Sequence, residues 1–351
     1  MKSGRPNRLV RHHGIKEGAN RRTSSPLLET VRLQAIDRSD ELFCMNFEPD
    51  LGLLRASVKE MGILEPIWLR RKGRKLQIVS GFRRFDVAAA LGTQEVRALT
   101  WREDELADRH AFEMGLHENI LTRGLSLVER ALVLEKLVSC FAVTRDKAIQ
   151  TYLPLLGLDP HEHVLDSHLV VNSFSVDLKR YCLSHGLSMG NMMLLGRFSG
   201  DERESIRRFL SPLRIGENVL REFLTVLGEI SRRDGIGIEN LLSGPEFQRG
   251  LADSRLSGPQ RIQTIRRLLK KRRYPELSAL EERFSSWKNK VGLSPGLAIR
   301  PPPFFEGNRF KIEICFESVE EYEAILVQLE NLSKGPIRHL LTIKGYGSDP
   351  N

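Results

Sequence analysis

Cysteine is scarce and scattered. Cys44, Cys140, Cys182 and Cys315 are the four in 351 residues, and no two form a Cys-x-x-Cys pair. That argues against a zinc ribbon, a thioredoxin-type site and a disulfide scaffold, and it fits a reducing cytosol. Long apolar runs are missing too. The longest, near 87–91 and 137–143, fall far short of the roughly 18 residues a membrane helix needs. Behind the basic N-terminal residues there is no apolar stretch, so no secretory signal peptide is expected. No repeat of solenoid period is visible. With 40% hydrophobic and 28% charged residues, the composition is that of a soluble globular chain, and the length predicts about two domains.

Acidic residues are nearly absent from two segments. Residues 1–25 hold seven Lys or Arg and one Glu; residues 261–273 hold seven and no acid. Of the net charge of +9, the other 313 residues therefore carry −4. Local charge of this kind suits a polyanionic partner. Residues 1–27 read as a basic disordered tail, since Gly, Asn, Ser and Pro between the cations leave little to bury. Such a tail is either a nucleic-acid-binding arm or an inert solubiliser. In the second segment Gly258-Pro259 opens a helix. Ile262, Ile265, Leu268 and Leu269 form an apolar stripe, and Arg266, Arg267, Lys270 and Lys271 project from the other side. These four are the candidate nucleic-acid contacts, as a cationic ridge toward solvent. A merely solvated face is the alternative.

Between these segments the pattern alternates short strands with helices. Strands are expected at 31–33, 66–70, 75–80 and 96–101, and helices at 50–61, 82–91 and 104–118. Ser126 and Glu129 form a capping box, and the chain from there to about 274 reads as helical. Residues 309–316 alternate as a half-buried strand, Ser318 and Glu321 make a second capping box, and 337–343 reads as a closing strand. Pro301-Pro302-Pro303 is expected to separate this end unit from a helix near 276–290.

The sharpest local feature is Ser80-Gly81-Phe82-Arg83-Arg84. A strand ends, a glycine turns and a helix begins. The first turn of a helix has unpaired amides and a partial positive charge, so two arginines there are favoured if an anion shares the place. The bland alternative pairs Arg83 and Arg84 with Asp86 or another acid. The second feature is Glu118-Asn119-Ile120, where a carboxylate and a carboxamide offer oxygens to a hard cation such as magnesium. Glu-Asn pairs also end many helices without function.

Three segments in register resemble the boxes of the ParB N-terminal domain: Gly62-Ile-Leu-Glu-Pro66-Ile-Trp-Leu-Arg70, Gly81 through Gly92, and Glu118-Asn119-Ile120 through Ser126. The resemblance covers about residues 28–138 well and fades by about 200. It implies that Gly81, Arg83 and Arg84 face the phosphates of a cytidine nucleotide, that Glu118 and Asn119 hold magnesium, and that CTPase-like hydrolysis is the activity to look for. A helix-turn-helix DNA-binding region and a dimerising C-terminal module are implied to follow. Three departures stand out. Phe82 replaces the family's glutamate, Thr122 replaces its arginine with Arg123 one place later, and nothing around Cys44-Met45-Asn46 matches its Gln-Pro-Arg segment.

The helix-turn-helix is expected at 147–174. Its second helix carries Glu162 and Asp166, with Ser167 and Asn172 as base-reading candidates. His161, His163 and His168 cluster nearby, but 161 and 163 are expected on different faces. The predicted class is α+β: a ParB-N-like small mixed sheet with helices (28–125), an all-helical DNA-binding-like region (126–200), a helical region ending in the basic helix (201–275), and a small C-terminal α+β domain (276–351) suited to dimerisation. The predicted function is a nucleotide-responsive DNA-binding protein of the partition, transcription or chromosome-organisation type, cytoplasmic and nucleoid-associated. The alternatives are a non-hydrolysing DNA-binding adaptor and a magnesium-dependent nuclease.

Overall fold

The computed structural model describes residues 25–342 apart from Asn308, so nearly all of the expected basic tail lies outside the described residues. The chain divides between Ser173 and Phe174 into two compact units.

The first unit opens with β1 (Leu27–Arg32), β2 (Ile36–Asp37), α1 (Gly52–Met61), β3 (Ile67–Lys72), β4 (Lys75–Ser80), α2 (Phe82–Ala90), β5 (Glu95–Trp101) and α3 (Asp108–Thr122). The sheet order is β1-β5-β3-β4-β2, with β1–β5 and β3–β4 antiparallel and β3–β5 and β2–β4 parallel. Gly73 turns the β3–β4 hairpin with a positive φ of 58°, which glycine adopts without steric penalty. Ile67, Leu69 and Ile78 are fully buried beneath Phe112 and Leu116 of α3. One glycine sets how closely α3 approaches the sheet. A Cβ on Gly115 would lie 2.9 Å from the Val79 carbonyl oxygen, so only a residue without a side chain lets the helix pass there.

α4 (Leu127–Ser139) follows, then α5 (Arg145–Lys147), a π turn (Ala148–Tyr152), α6 (Leu153–Leu155) and α7 (Glu162–Asn172). The expected capping box starts α4: Ser126 Oγ accepts from Glu129 N at 3.2 Å, and Glu129 accepts from Ser126 N at 2.9 Å. Val133, Leu134 and Leu137 of α4 and Leu165 of α7 belong to the same core as the sheet.

The second unit is helical through α8 (Val176–Ser184), α9 (Met189–Gly196), α10 (Gly200–Leu210), α11 (Glu217–Asp234), α12 (Ile238–Leu242), α13 (Pro245–Ala252), α14 (Gly258–Arg273) and α15 (Pro275–Val291). It ends in β6 (Leu297–Arg300), β7 (Lys311–Ile314), α16 (Val319–Ser333) and α17 (Pro336–Thr342). Two expectations fail here and one holds in part. Residues 336–342 form a helix, not a closing strand. Gly335 precedes it, Pro336 suits its first position, and Leu340 is buried beside Trp287, whose indole nitrogen donates to Pro336 O at 2.9 Å. The triproline lies inside the end unit, because Trp287 before it and Ile325 after it share one small core with Leu297. The alternating strand does pair, with the unforeseen β6, but its apolar side is half covered. Leu297 and Ile299 of β6 are 3% and 4% exposed; their register partners Ile314 and Ile312 are 37% and 42% exposed.

Candidate functional site

β4 delivers Ser80 to the end of the sheet, and Gly81 turns the chain in the left-handed region (φ 100°) as the N-cap of α2. A Cβ there would lie 3.1 Å from Arg84 Nε and 3.3 Å from Ile67 Cγ2, so the turn requires glycine on both conformational and steric grounds. The first-turn amides of α2, without intrahelical acceptors, stand beside a cleft of about 220 Å3 lined by Gly81, Arg83, Arg84, Glu118, Asn119, Asn46 and Arg123, with Phe43, Met45 and Phe82 as its apolar part. The five expected nucleotide-site residues therefore converge.

Each arginine has a distinct job. Arg84 donates to the Glu65 and Pro66 carbonyls at 3.2 and 3.1 Å and to Glu118 Oε1 at 2.9 Å. Ser80 Oγ donates to the other oxygen, Oε2, at 2.8 Å. Arg83 donates to the Asp50 carbonyl at 2.6 Å, while its Nε is buried without an acceptor. Asp86 is not their partner. It binds Arg38 at 2.6 and 3.2 Å, holding that guanidinium more firmly protonated, and Arg38 also sits 5.3 Å over the Phe82 ring. Phe82 thus fills space under a cation.

The end of α3 is tied to α4 and to the loop before α1. Asn119 donates to Gly115 O at 2.7 Å and accepts from Arg123 Nε at 2.7 Å. Arg123 reaches Asn46 Oδ1 at 3.0 Å and grips both oxygens of buried Glu129 at 3.1 and 3.0 Å. Lys136 of α4 donates to the carbonyls of Glu41, Cys44 and Leu42 at 2.5, 2.7 and 3.3 Å; burial lowers its pKa, against the pull of nearby Cys44. Loop 41–47, one wall of the cleft, is therefore fastened to α4. Sequence reasoning missed Asn46, Ser80, Arg38 and Glu129 as parts of this frame. Arg38–Asp86 and Asn46–Arg123 join residues 48 and 77 positions apart, and no local pattern announces such pairs.

The fit for magnesium depends on what else is bound. Both Glu118 oxygens and the Asn119 oxygen already accept hydrogen bonds. Among the described residues no three His, Cys, Asp or Glu side chains gather to hold a metal. Magnesium commonly rests on one or two carboxylates plus phosphate oxygens, so Glu118 suits it only together with a phosphate that draws Arg84 away.

Residues 19–120 match the family model of the ParB N-terminal domain. That stretch is similar to the ParB N-terminal domain. The chain's relatives include the chromosome-partitioning protein Spo0J of Thermus thermophilus, 39% identical over 84 residues (24% of this chain and 30% of that protein). Another is the chromosome-partitioning protein ParB of Myxococcus xanthus, 28% identical over 148 residues (42% of this chain and 47% of that protein). The chain thus spans half or less of the length of these relatives. The crystal structure of C-terminally truncated ParB from Caulobacter crescentus complexed with CTP-gamma-S aligns at 23% identity, covering 49% of this chain and 93% of that one. The TM-score of that alignment is 0.25. The three boxes that meet at the cleft all fall within or next to the matched range.

Outside that domain the expected contacts are placed differently. Gly157 (φ 71°) turns the chain between α6 and α7, and exposed Glu162 and Asp166 of α7 both pair with Arg145, at 3.4 and 2.5 Å. The His161 and His163 rings stack at 5.5 Å instead of diverging, because His161 is the N-cap and lies outside the helix. The free cationic ridge of α14 is mostly paired: Arg266 with Glu222 (2.7 Å), Lys270 with Glu281 (2.7 Å) and Lys271 with Glu282 (2.9 Å). α11 and α15 flank it and supply the acids that its own segment lacks. Arg267 is exposed and has no ion pair among the described residues.

Proposed function

We propose that this chain is a nucleotide-responsive DNA-binding protein of the chromosome-partition type. The observation that carries the reading is the convergence on one cleft of the α2 N-terminus, Arg83 and Arg84 with Glu118 and Asn119. Phosphate oxygens of a nucleoside triphosphate would take the α2 amides and the Arg83 and Arg84 guanidiniums, which form strong charge-assisted bonds. Arg84 would leave Glu118 for the phosphates, and Glu118 with Asn119 would then hold magnesium, whose charge offsets that of the phosphates. CTP is the nucleotide that the family resemblance suggests. Hydrolysis is a separate question, answered by phosphate release.

DNA is the proposed partner, with α5 to α7 as the helix-turn-helix and a location in the nucleoid. The end unit is proposed to pair with a second copy through Ile312, Ile314, Phe316 and Tyr322, the apolar residues that its own helices leave exposed. Light scattering on the full chain and on a chain ending near Pro301 tests this: a monomer mass for both rejects the dimer.

A second reading is a non-hydrolysing DNA-binding adaptor with a degenerate nucleotide site, one that has kept the fold and lost the nucleotide. It draws on the neutralisation of the cleft by its own acids, Arg84 by Glu118 and Arg123 by Glu129. Calorimetry with the four triphosphates and magnesium separates the two. Heat with CTP that disappears in Arg84→Ala supports the first; none with any triphosphate at millimolar concentration supports the adaptor. Nuclease activity remains a third reading, testable as magnesium-dependent plasmid cutting that Glu118→Gln abolishes.

A further inference from the structure

In the second unit α11, α14 and α15 enclose a cleft of about 500 Å3. Phe223, Val226 and Leu269 form its apolar floor. One face of α14 forms its wall, with Arg266, Arg267, Lys270 and Arg273 climbing the helix over about 10 Å at 1.5 Å per residue. Tyr274 closes the end, 43% exposed, with the Arg273 guanidinium 4.8 Å over its ring. Two carboxylates line the same cleft. Glu222 receives Arg266 through both oxygens at 3.2 and 2.7 Å, and Glu281 receives Lys270 at 2.7 and 2.8 Å. Lys271 and Arg272 turn away, to Glu282 and Asp234.

We infer that this cleft is a second anion site, for the phosphates of a nucleic-acid strand, and that Glu222 and Glu281 are internal competitors holding its cations until a strand displaces them. Three of the four cations are paired, Arg266 with Glu222, Lys270 with Glu281 and Arg273 with Glu229, so the positive charge left after the pairs are counted is that of Arg267. The Glu222 and Glu281 side chains are 46% and 42% exposed, and ion pairs of that exposure are weak and screened by salt. A polyphosphate strand displaces them more readily than it would a buried pair. The spread of the cations argues for more than one phosphate, since phosphates follow one another at about 3.4 Å per strand along a duplex axis. Tyr274 and Gln263 add neutral contacts at the rim, where a sugar or base would lie. Lys271 drops out of the site that sequence charge alone suggested, and Arg273 enters it. The inference rests on the DNA-binding part of the proposed function and not on its nucleotide part.

The test titrates the full-length chain with a random-sequence duplex, a single strand of the same length, inorganic phosphate and CTP, each over a range of salt. Glu222→Gln with Glu281→Gln is expected to tighten duplex binding about fivefold by freeing two cations. Arg267→Ala with Lys270→Ala is expected to weaken it and to lower the slope of log affinity against log salt by about 2, near 0.9 per lost phosphate contact. Lys271→Ala should leave both unchanged. Thermal melts of each variant check folding, and charge-conserving Arg267→Lys should retain binding where alanine loses it. The same shifts in a chain carrying Arg84→Ala separate this site from the nucleotide cleft. Unchanged or weaker binding in the carboxamide variant overturns the inference, as does a Lys271→Ala loss equal to that of the Arg267/Lys270 pair. Competition by inorganic phosphate or CTP at concentrations equal to those of the strands overturns the assignment to nucleic acid.

Discussion

In the cleft between α2 and α3, the side chains of Glu118 and Glu129 are 20% and 7% exposed; in the cleft along α14, those of Glu222 and Glu281 are 46% and 42% exposed. Each carboxylate holds an arginine or lysine, so the chemistry of the pairs is the same and only the solvent differs. Burial makes the first set a frame. Removing one partner leaves a charge that water cannot reach, which costs about 3–5 kcal/mol where the pair is well buried. Exposure makes the second set replaceable, with a typical contribution of about 0–1 kcal/mol. A ligand anion can exchange with the second set freely, while in the first it must bring its own compensation, as the proposed triphosphate with magnesium would for Glu118.

The largest effect that can break this contrast is at Arg123. Arg123→Ala strands Glu129 beneath loop 41–47 and also releases Asn46. Urea unfolding of the first unit is expected to show a loss of about 3 kcal/mol. Adding Glu129→Gln should recover part of it, because a carboxamide needs no counter-charge. A loss under about 1 kcal/mol places Arg123 with the exposed pairs and ends the contrast.

Gly81→Ala comes next. It forces a side chain into φ 100° and against Arg84 and Ile67, at about 1–3 kcal/mol for the backbone strain alone. Because the same turn aims the α2 amides, heat with triphosphate should fall further than stability does. Equal binding by this variant would show that the amides take no part.

Much of the frame is legible in the sequence, and the reason is local chemistry. Gly81 and Gly73 mark turns, Ser126–Glu129 marks the start of α4, and Leu76 and Ile78 fall on one face of β4. The order and spacing of the three boxes are enough to group Arg83, Arg84, Glu118 and Asn119 in one site. What stays hidden depends on long-range packing. Glu129 reads as a cap, and it is also the buried counter-charge of Arg123. Gly115 reads as an ordinary helix residue, and it sets the approach of α3 to β4. At the far end, β6 is four residues long and runs into a triproline, so it carries too little alternation to be recognised. Ile337 and Leu340 to Leu341 read as strand, although Pro336 starts a helix there.

A smaller effect tests burial by pH. His168 lies in α7, 3% exposed, with Nδ1 2.7 Å from Val164 O. Burial lowers its pKa from the usual 6.5, outweighing the backbone hydrogen bond. The unfolded chain then binds a proton that the folded chain refuses, so stability is full above about 6.5 and falls as pH drops through the window below it. The slope from one such group is at most about 1.4 kcal/mol per pH unit. Chemical unfolding at several pH values below 7 should show this slope, and His168→Phe should flatten it. A slope unchanged by that substitution assigns it to the carboxylates instead.

The smallest expected effect sharpens the exposed side of the contrast. Lys271 and Glu282 meet at 2.9 Å with side chains 58% and 65% exposed. By distance this pair matches Arg84–Glu118, also 2.9 Å, whose side chains are 14% and 20% exposed. If geometry alone set the strength of an ion pair, the two would contribute alike. If solvent sets it, Lys271→Ala should change unfolding free energy by under about 0.5 kcal/mol, and the change should vanish in half-molar salt, where the Debye length is only a few ångströms. Arg84→Ala should cost several times more and keep most of that cost in salt, because water and ions do not reach Glu118 as they reach Glu282. Parallel denaturation of the two variants at low and high salt measures both. Equal losses, or equal salt sensitivity, would remove burial as the difference between the clefts and leave Glu222 and Glu281 no easier to displace than Glu118.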